Sequence, residues 1–88
     1  MPVPAVVVAL GGNALIRPGQ RGSYPEQVRN LERVVPHLAK LARTRRLVLT
    51  HGNGPQVGDL LLQQEAAKRS VPALPLHAAV AMSQGLIG

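Results

Sequence analysis

Apolar and polar positions fall in blocks along this chain, and each block carries the period of one kind of element. Residues 3–10 are almost continuously apolar and rich in Val, and the run closes at Gly11-Gly12. A short run of that kind predicts a strand buried on both faces, as in a parallel sheet. Residues 17–23 (RPGQRGS) hold Pro, Gly and polar side chains and predict a loop. Beyond it Val28, Leu31, Val34, Val35, Leu38, Leu41 and Ala42 recur at spacings of three and four, one amphipathic helix stripe. Its start is marked by Ser23 as a capping hydroxyl, Pro25 near the first turn and Glu26 three residues after the serine. Pro36 removes a ladder donor and should kink or split that helix.

Residues 47–50 are a second apolar run, closed by the turn His51-Gly52-Asn53-Gly54-Pro55. A helix should follow from Gln56 or Val57 to Arg69, with Val57, Leu60, Leu61 and Gln64 on one face. Residues 71–75 carry two prolines and read as a connector. A third helical pattern begins at Leu76 and runs through Ala79, Val80, Met82 and Leu86 to Gly88. The order strand, helix, strand, helix, helix is that of an α/β fold in which one crossover makes the two strands parallel neighbours. Two strands cannot bury both of their faces by themselves, and the pattern stops inside a helix, so the chain reads as incomplete.

Composition narrows the class. Hydrophobic residues are 45% of the 88 and charged residues 16%, a balance of packed rather than disordered chains. There is no cysteine, which excludes a disulfide framework or thiolate metal site and favours a cytosolic setting. Residues 1–10 lack a positive leader, and no apolar run is long enough to cross a bilayer. The net charge of +6 is spread from Arg17 to Arg69, a pattern of solvated helix faces and ends. With Tyr24 the one aromatic residue, the stacking platform of a single-strand nucleic-acid binder is missing.

The chemistry concentrates in two similar turns, Gly11-Gly12-Asn13 and Gly52-Asn53-Gly54, each between a predicted strand and helical sequence. Ligands of open α/β sheets collect at the carboxyl ends of the strands. Glycine lets the backbone approach an anion, helix N-termini offer N–H groups to it, and an Asn amide adds a neutral donor. Ordinary tight turns are the alternative, because Gly and Asn both suit them. Neither turn matches the G-x-G-x-x-G or the Gly-Lys-Ser/Thr phosphate motifs. His51 reads as a turn residue, Asp59 as a surface carboxylate, and Met82, Leu86 and Ile87 as core packing.

Three stretches carry a family resemblance: VVALGGNAL (7–15), THGNGPQVG (50–58) and AMSQGLIG (81–88). With Arg21-Gly22-Ser23 and residues 26–30, they resemble the N-terminal signatures of carbamate kinases, within the amino-acid-kinase superfamily. The resemblance implies the N-terminal, substrate-side portion (1–88) of a single domain built on a mainly parallel sheet sandwiched by helices. It implies a cytoplasmic homodimer that moves a phosphoryl group between carbamoyl phosphate and ADP, giving carbamate and ATP, in arginine catabolism. Mg2+ would accompany the nucleotide, whose contacts belong mostly to the missing C-terminal part. By the same resemblance, Gly11, Gly12 and Asn13 would line the phosphoryl group, with Gly12 and Asn13 as catalytic residues. Gly52, Asn53 and Gly54 would hold the carbamate end, and the family's phosphate-neutralising lysines would lie downstream. His77 stands where the family usually has an aspartate, Ser23 where it more often has Thr, and the third helix is a candidate dimer element. The alternatives are another amino-acid-kinase member acting on an amino-acid or acyl carboxylate, or a non-catalytic anion-binding fragment.

Overall fold

In the computed structural model, which describes residues 3–88 apart from the side chain of Asn13, six elements follow one another: β1 (Ala5–Leu10), α1 (Gly12–Leu15), α2 (Tyr24–Ala42), β2 (Arg46–His51), α3 (Gly54–Ala67) and α4 (Leu76–Ile87). They gather into two compact units, one ending at Gly52 and the other covering Asn53–Gly88.

In the first unit β1 and β2 pair in parallel from Ala5 opposite Arg46 to Leu10 opposite His51. Two bonds from Arg46 fasten the start of this ladder, its amide to the Pro4 carbonyl at 3.0 Å and its Nε to the Val3 carbonyl at 3.2 Å. Burial along β1 alternates residue by residue: Val6, Val8 and Leu10 are half-buried, whereas Ala5, Val7 and Ala9 are exposed. The expectation of a strand buried on both faces is therefore corrected for these residues taken alone, as two strands cannot cover both faces by themselves. Within this unit α2 packs against β2, and among the described residues Val7 and Val48 of the sheet stay 65% and 50% exposed.

The first helical pattern begins where its capping residues place it. The Ser23 hydroxyl accepts from the Glu26 amide at 3.4 Å, and Glu26 Oε1 accepts from the amides of Ser23 (3.0 Å) and Gly22 (3.1 Å). This reciprocal box holds donors that the first turn of a helix cannot satisfy internally. Gly22 has φ +82°, and a Cβ there would meet Ile16 Cδ1 at 2.7 Å, so the loop needs glycine at that corner. Pro36 does not split the helix: α2 is one element of nineteen residues with the proline inside it. Pro36 is exposed, so the carbonyl that loses its helical donor lies on the side open to water.

The Ser23 amide, then the Ser23 hydroxyl, hold the Glu26 carboxyl below its ordinary pKa. A lowered folded pKa contributes stability that is present above the ordinary carboxylate value and lost as pH falls through the lowered one. Urea midpoints should therefore fall on the acid side of the carboxylate range. Glu26→Gln should lose part of that slope; an unchanged acid slope would show that the box titrates without consequence for folding.

In the second unit α3 packs against α4. The connector is tied back by the Leu74 amide, which donates to Gln64 Oε1 at 2.9 Å. Helix α3 begins at Gly54, two residues earlier than the pattern suggests, because Pro55 serves as a first-turn residue. The expectation that Met82 and Leu86 pack in a core is also corrected: both are exposed, and α4 buries Ala79 and Ser83 instead. These two stand four residues apart and share one helix face. Lys40 is exposed in the last turn of α2, and Lys68, at the end of α3, pairs on the surface with Glu65 at 2.6 Å. No described helix is long and apolar enough to cross a membrane.

Candidate phosphate-handling site

Both glycine turns leave the sheet at its carboxyl end. The parallel register sets Leu10 opposite His51, and the Gly52 amide donates to the Leu10 carbonyl at 3.0 Å, so the exits from β1 and β2 lie side by side. A Cβ built on Gly52 would stand 3.7 Å from the Gly12 nitrogen. Glycine at 52 thus leaves the space beside the Gly12 amide open. His51 Nδ1 lies 3.1 Å from the Gly52 carbonyl oxygen, which fits its reading as a residue that supports the turn.

The first turn is more ordered than the sequence suggests. Gly11 is extended, and residues 12–15 then form one helical turn, α1, closed by Ala14 N–H to the Gly11 carbonyl (2.9 Å) and Ile16 N–H to the Gly12 carbonyl (3.1 Å). In a helix this short, the amides of Gly12 and Asn13 have no partner within the turn. Asn13 lies in α1, and its side chain is outside the described residues.

What fixes α1 is a residue absent from the sequence-based candidates. Asn30, 3% exposed on α2, donates Nδ2 to the carbonyl of Leu15 at 2.7 Å and to Gln20 Oε1 at 2.6 Å. Gln20 Oε1 also accepts from the Arg17 amide at 3.1 Å, so one carboxamide joins the helix, the glycine turn and the loop. The signal was a lone Asn among the apolar positions of the stripe, one residue before Leu31. Its Oδ1 is buried without a hydrogen-bond partner.

The second turn divides between the units. Gly52 closes the first, and Asn53 and Gly54 open the second. Asn53 precedes α3 with φ −145° and ψ 13°, and its carbonyl accepts from the Val57 amide at 2.9 Å. Its side chain does not cap the helix. Instead Nδ2 donates to Ser83 Oγ at 2.8 Å, and the Ser83 hydroxyl donates to the Val80 carbonyl at 2.8 Å. Ser83 is fully buried and was also missed, because within AMSQGLIG it looked like one polar residue of a mostly apolar helix. Pro55 has no N–H, so this helix start has one amide donor fewer to satisfy. Gln56 is buried as well.

A cavity of about 560 Å³ is lined by His37, Lys40, Leu41, Arg43 and Thr44 at the end of α2. That is the amino end of β2, opposite the glycine turns, and so the wrong end of a parallel sheet for a ligand site. Among the described residues no three His, Cys, Asp or Glu side chains come together as metal ligands.

Adjacent parallel strands that each end in a glycine turn leading into a helix agree with what family comparison finds. Residues 4–87 match the model of the amino acid kinase family, and the chain belongs to that family. Its relatives include the carbamate kinase of Pyrococcus furiosus, 51% identical over 94% of this chain, and that of Escherichia coli, 54% identical over 94%. A solved structure, carbamate kinase from Giardia lamblia bound to AMP-PNP, superposes with a TM-score of 0.92 at 45% identity over 97% of this chain. The α/β fold is thus that of carbamate kinase structures. The chain spans 27% of the P. furiosus relative's length, 28% of the E. coli relative's and 30% of the G. lamblia chain.

Proposed function

We infer that residues 1–88 form the N-terminal, substrate-side portion of a single amino-acid-kinase domain in a carbamate kinase. The observation that carries this is the juxtaposition of Gly12 and Gly52 at the carboxyl ends of paired strands, together with the names of the relatives. The reaction moves a phosphoryl group from carbamoyl phosphate to ADP. The bond from phosphorus to the carbamoyl carboxylate oxygen breaks as one to a terminal ADP oxygen forms, and carbamate leaves as a carboxylate. Charge is conserved and nothing is oxidised or reduced.

Such a transfer depends on placement and on charge stabilisation rather than on a covalent intermediate. The backbone of Gly11, Gly12 and Asn13 donates to the phosphoryl oxygens, with Gly12 and Asn13 in direct contact with the group in flight. Gly52, Asn53 and Gly54 hold the carbamoyl end. Among the described residues no carboxylate cluster is present to hold Mg2+, which would accompany the nucleotide. ATP and ADP bind mainly outside residues 1–88, and the working enzyme is a cytoplasmic homodimer. Its place is the end of arginine catabolism, where carbamoyl phosphate is used to make ATP.

Phosphoryl-acceptor preference tests the assignment. With ATP as donor, the intact native protein should phosphorylate carbamate in preference to glutamate or acetylglutamate; preference for either amino acid would move it to another branch of the family. The 88-residue chain alone should make no ATP, because neither Lys40 nor Lys68 belongs to the turns. ATP formation above a blank by that chain would contradict this division of labour.

A further inference from the structure

The orientation of the Asn53 carboxamide is decided by a bond one step removed from it. Ser83 is fully buried, and its single hydroxyl hydrogen goes to the Val80 carbonyl at 2.8 Å. The oxygen therefore has only lone pairs left to offer a neighbour. Asn53 must turn a nitrogen, not an oxygen, towards it, as the 2.8 Å bond from Nδ2 records. The opposite flip would set two acceptors against each other, so the network removes the usual ambiguity of an Asn side chain.

One N–H of Asn53 is committed to α4, while Oδ1, an acceptor, has no partner among the described hydrogen bonds. An acceptor suits a group that carries N–H, and it is mismatched to a bare phosphoryl or carboxylate oxygen. We propose that Ser83 is a positioning residue that locks the Asn53 carboxamide with its Oδ1 available to the ligand, making Asn53 the group that selects an N–H-bearing acyl phosphate over an alkyl-capped one such as acetyl phosphate. This rests on the carbamate kinase reading above and assigns a specificity role within it.

The carbamoyl group offers an NH2 where the acetyl group has a methyl. An acceptor held in place loses its partner when the methyl is bound, whereas a freely turning carboxamide can offer its other end. Releasing the lock should therefore compress the preference between the two substrates rather than lower both rates alike.

The test is the ratio of kcat/KM for carbamoyl phosphate to that for acetyl phosphate, with ADP, in the intact native protein. Ser83→Ala should lower the ratio about tenfold, the worth of one hydrogen bond. Asn53→Ala should lower it at least as far, and adding Ser83→Ala to Asn53→Ala should lower it no further, since the serine acts through the asparagine. Equal loss on both substrates would make Ser83 a packing residue and overturn the proposal, as would full additivity in the double variant. A second measurement needs no variant: the side-chain amide of Asn53, followed by NMR hydrogen exchange in the wild type, should show one proton protected and one not. Two freely exchanging protons would overturn the lock. Absence of any activity on carbamoyl phosphate would sink the enzymatic assignment alone, leaving the exchange result to judge the lock.

Discussion

Replacing Gly52 by alanine should leave the protein folded and remove most of its phosphoryl transfer. Gly52 does not need the left-handed backbone, and among the described residues the neighbour a Cβ would meet is the Gly12 nitrogen at 3.7 Å, an ordinary contact distance. The folded state therefore has room for the methyl, and stability should change by no more than about 0.5 kcal/mol. An oxygen accepting from the Gly12 N–H would sit about 2.9 Å from that nitrogen. A methyl at 3.7 Å from the same atom competes for the same space. Loss of one preorganised donor to a developing anion typically costs about 10²–10³ in kcat. The check is a thermal melt beside steady-state kinetics. An unchanged Tm with kcat lowered on that scale is the expected pair of results; full activity would mean that the Gly12 amide does not face the phosphoryl group.

Asn30→Asp should be the most destabilising conservative change in the first unit. The substitution keeps the shape and removes both donors, leaving carboxylate oxygens against the Leu15 carbonyl and Gln20 Oε1, now at 2.7 and 2.6 Å from Nδ2. The site is 3% exposed, so water cannot make up the loss. Each unsatisfied buried group costs about 1–3 kcal/mol, and a buried charge adds to that. Arg17 and Arg33 line a cavity of about 270 Å³ together with Asn30, and their guanidinium groups offset part of the charge. The net expectation is a loss of about 3 kcal/mol, read from urea midpoints. Asn30→Leu, which removes the unpaired Oδ1 along with the donors, should cost less. If the aspartate variant is as stable as the wild type, the carboxamide does not hold α1 in the way its distances indicate.

How much of this was legible in the sequence differs between levels. The order of the two strands and three long helices, the two turns and the capping box at Ser23 and Glu26 follow from local rules, in which a few neighbouring residues decide the outcome; the short α1 was not among the expected elements. Pro36 went the other way: a proline predicts a break, but one exposed carbonyl is too small a loss to interrupt a helix already fastened by its cap and stripe. The expectation of two-sided burial for β1 came from composition, whereas burial depends on which layers surround the strand, and only one face is covered here. The roles of Asn30 and Ser83, which hold the candidate site, could not be read from the sequence for a related reason. Each acts through a partner far along the chain, Leu15 for Asn30 and Asn53 for Ser83. No period or spacing reports such a bond, and a single polar residue in a helix reads as solvent-facing until its burial is known.

The most direct test of the central claim is a 31P NMR time course of the intact native protein with carbamoyl phosphate, ADP and Mg2+. The expected result is loss of the carbamoyl phosphate resonance matched by growth of the ATP β-phosphate signal, both slowed in step by Gly52→Ala. Carbamoyl phosphate that persists at the rate of a protein-free blank, with no ATP signal, would contradict the claim that these two glycine turns serve carbamate kinase chemistry.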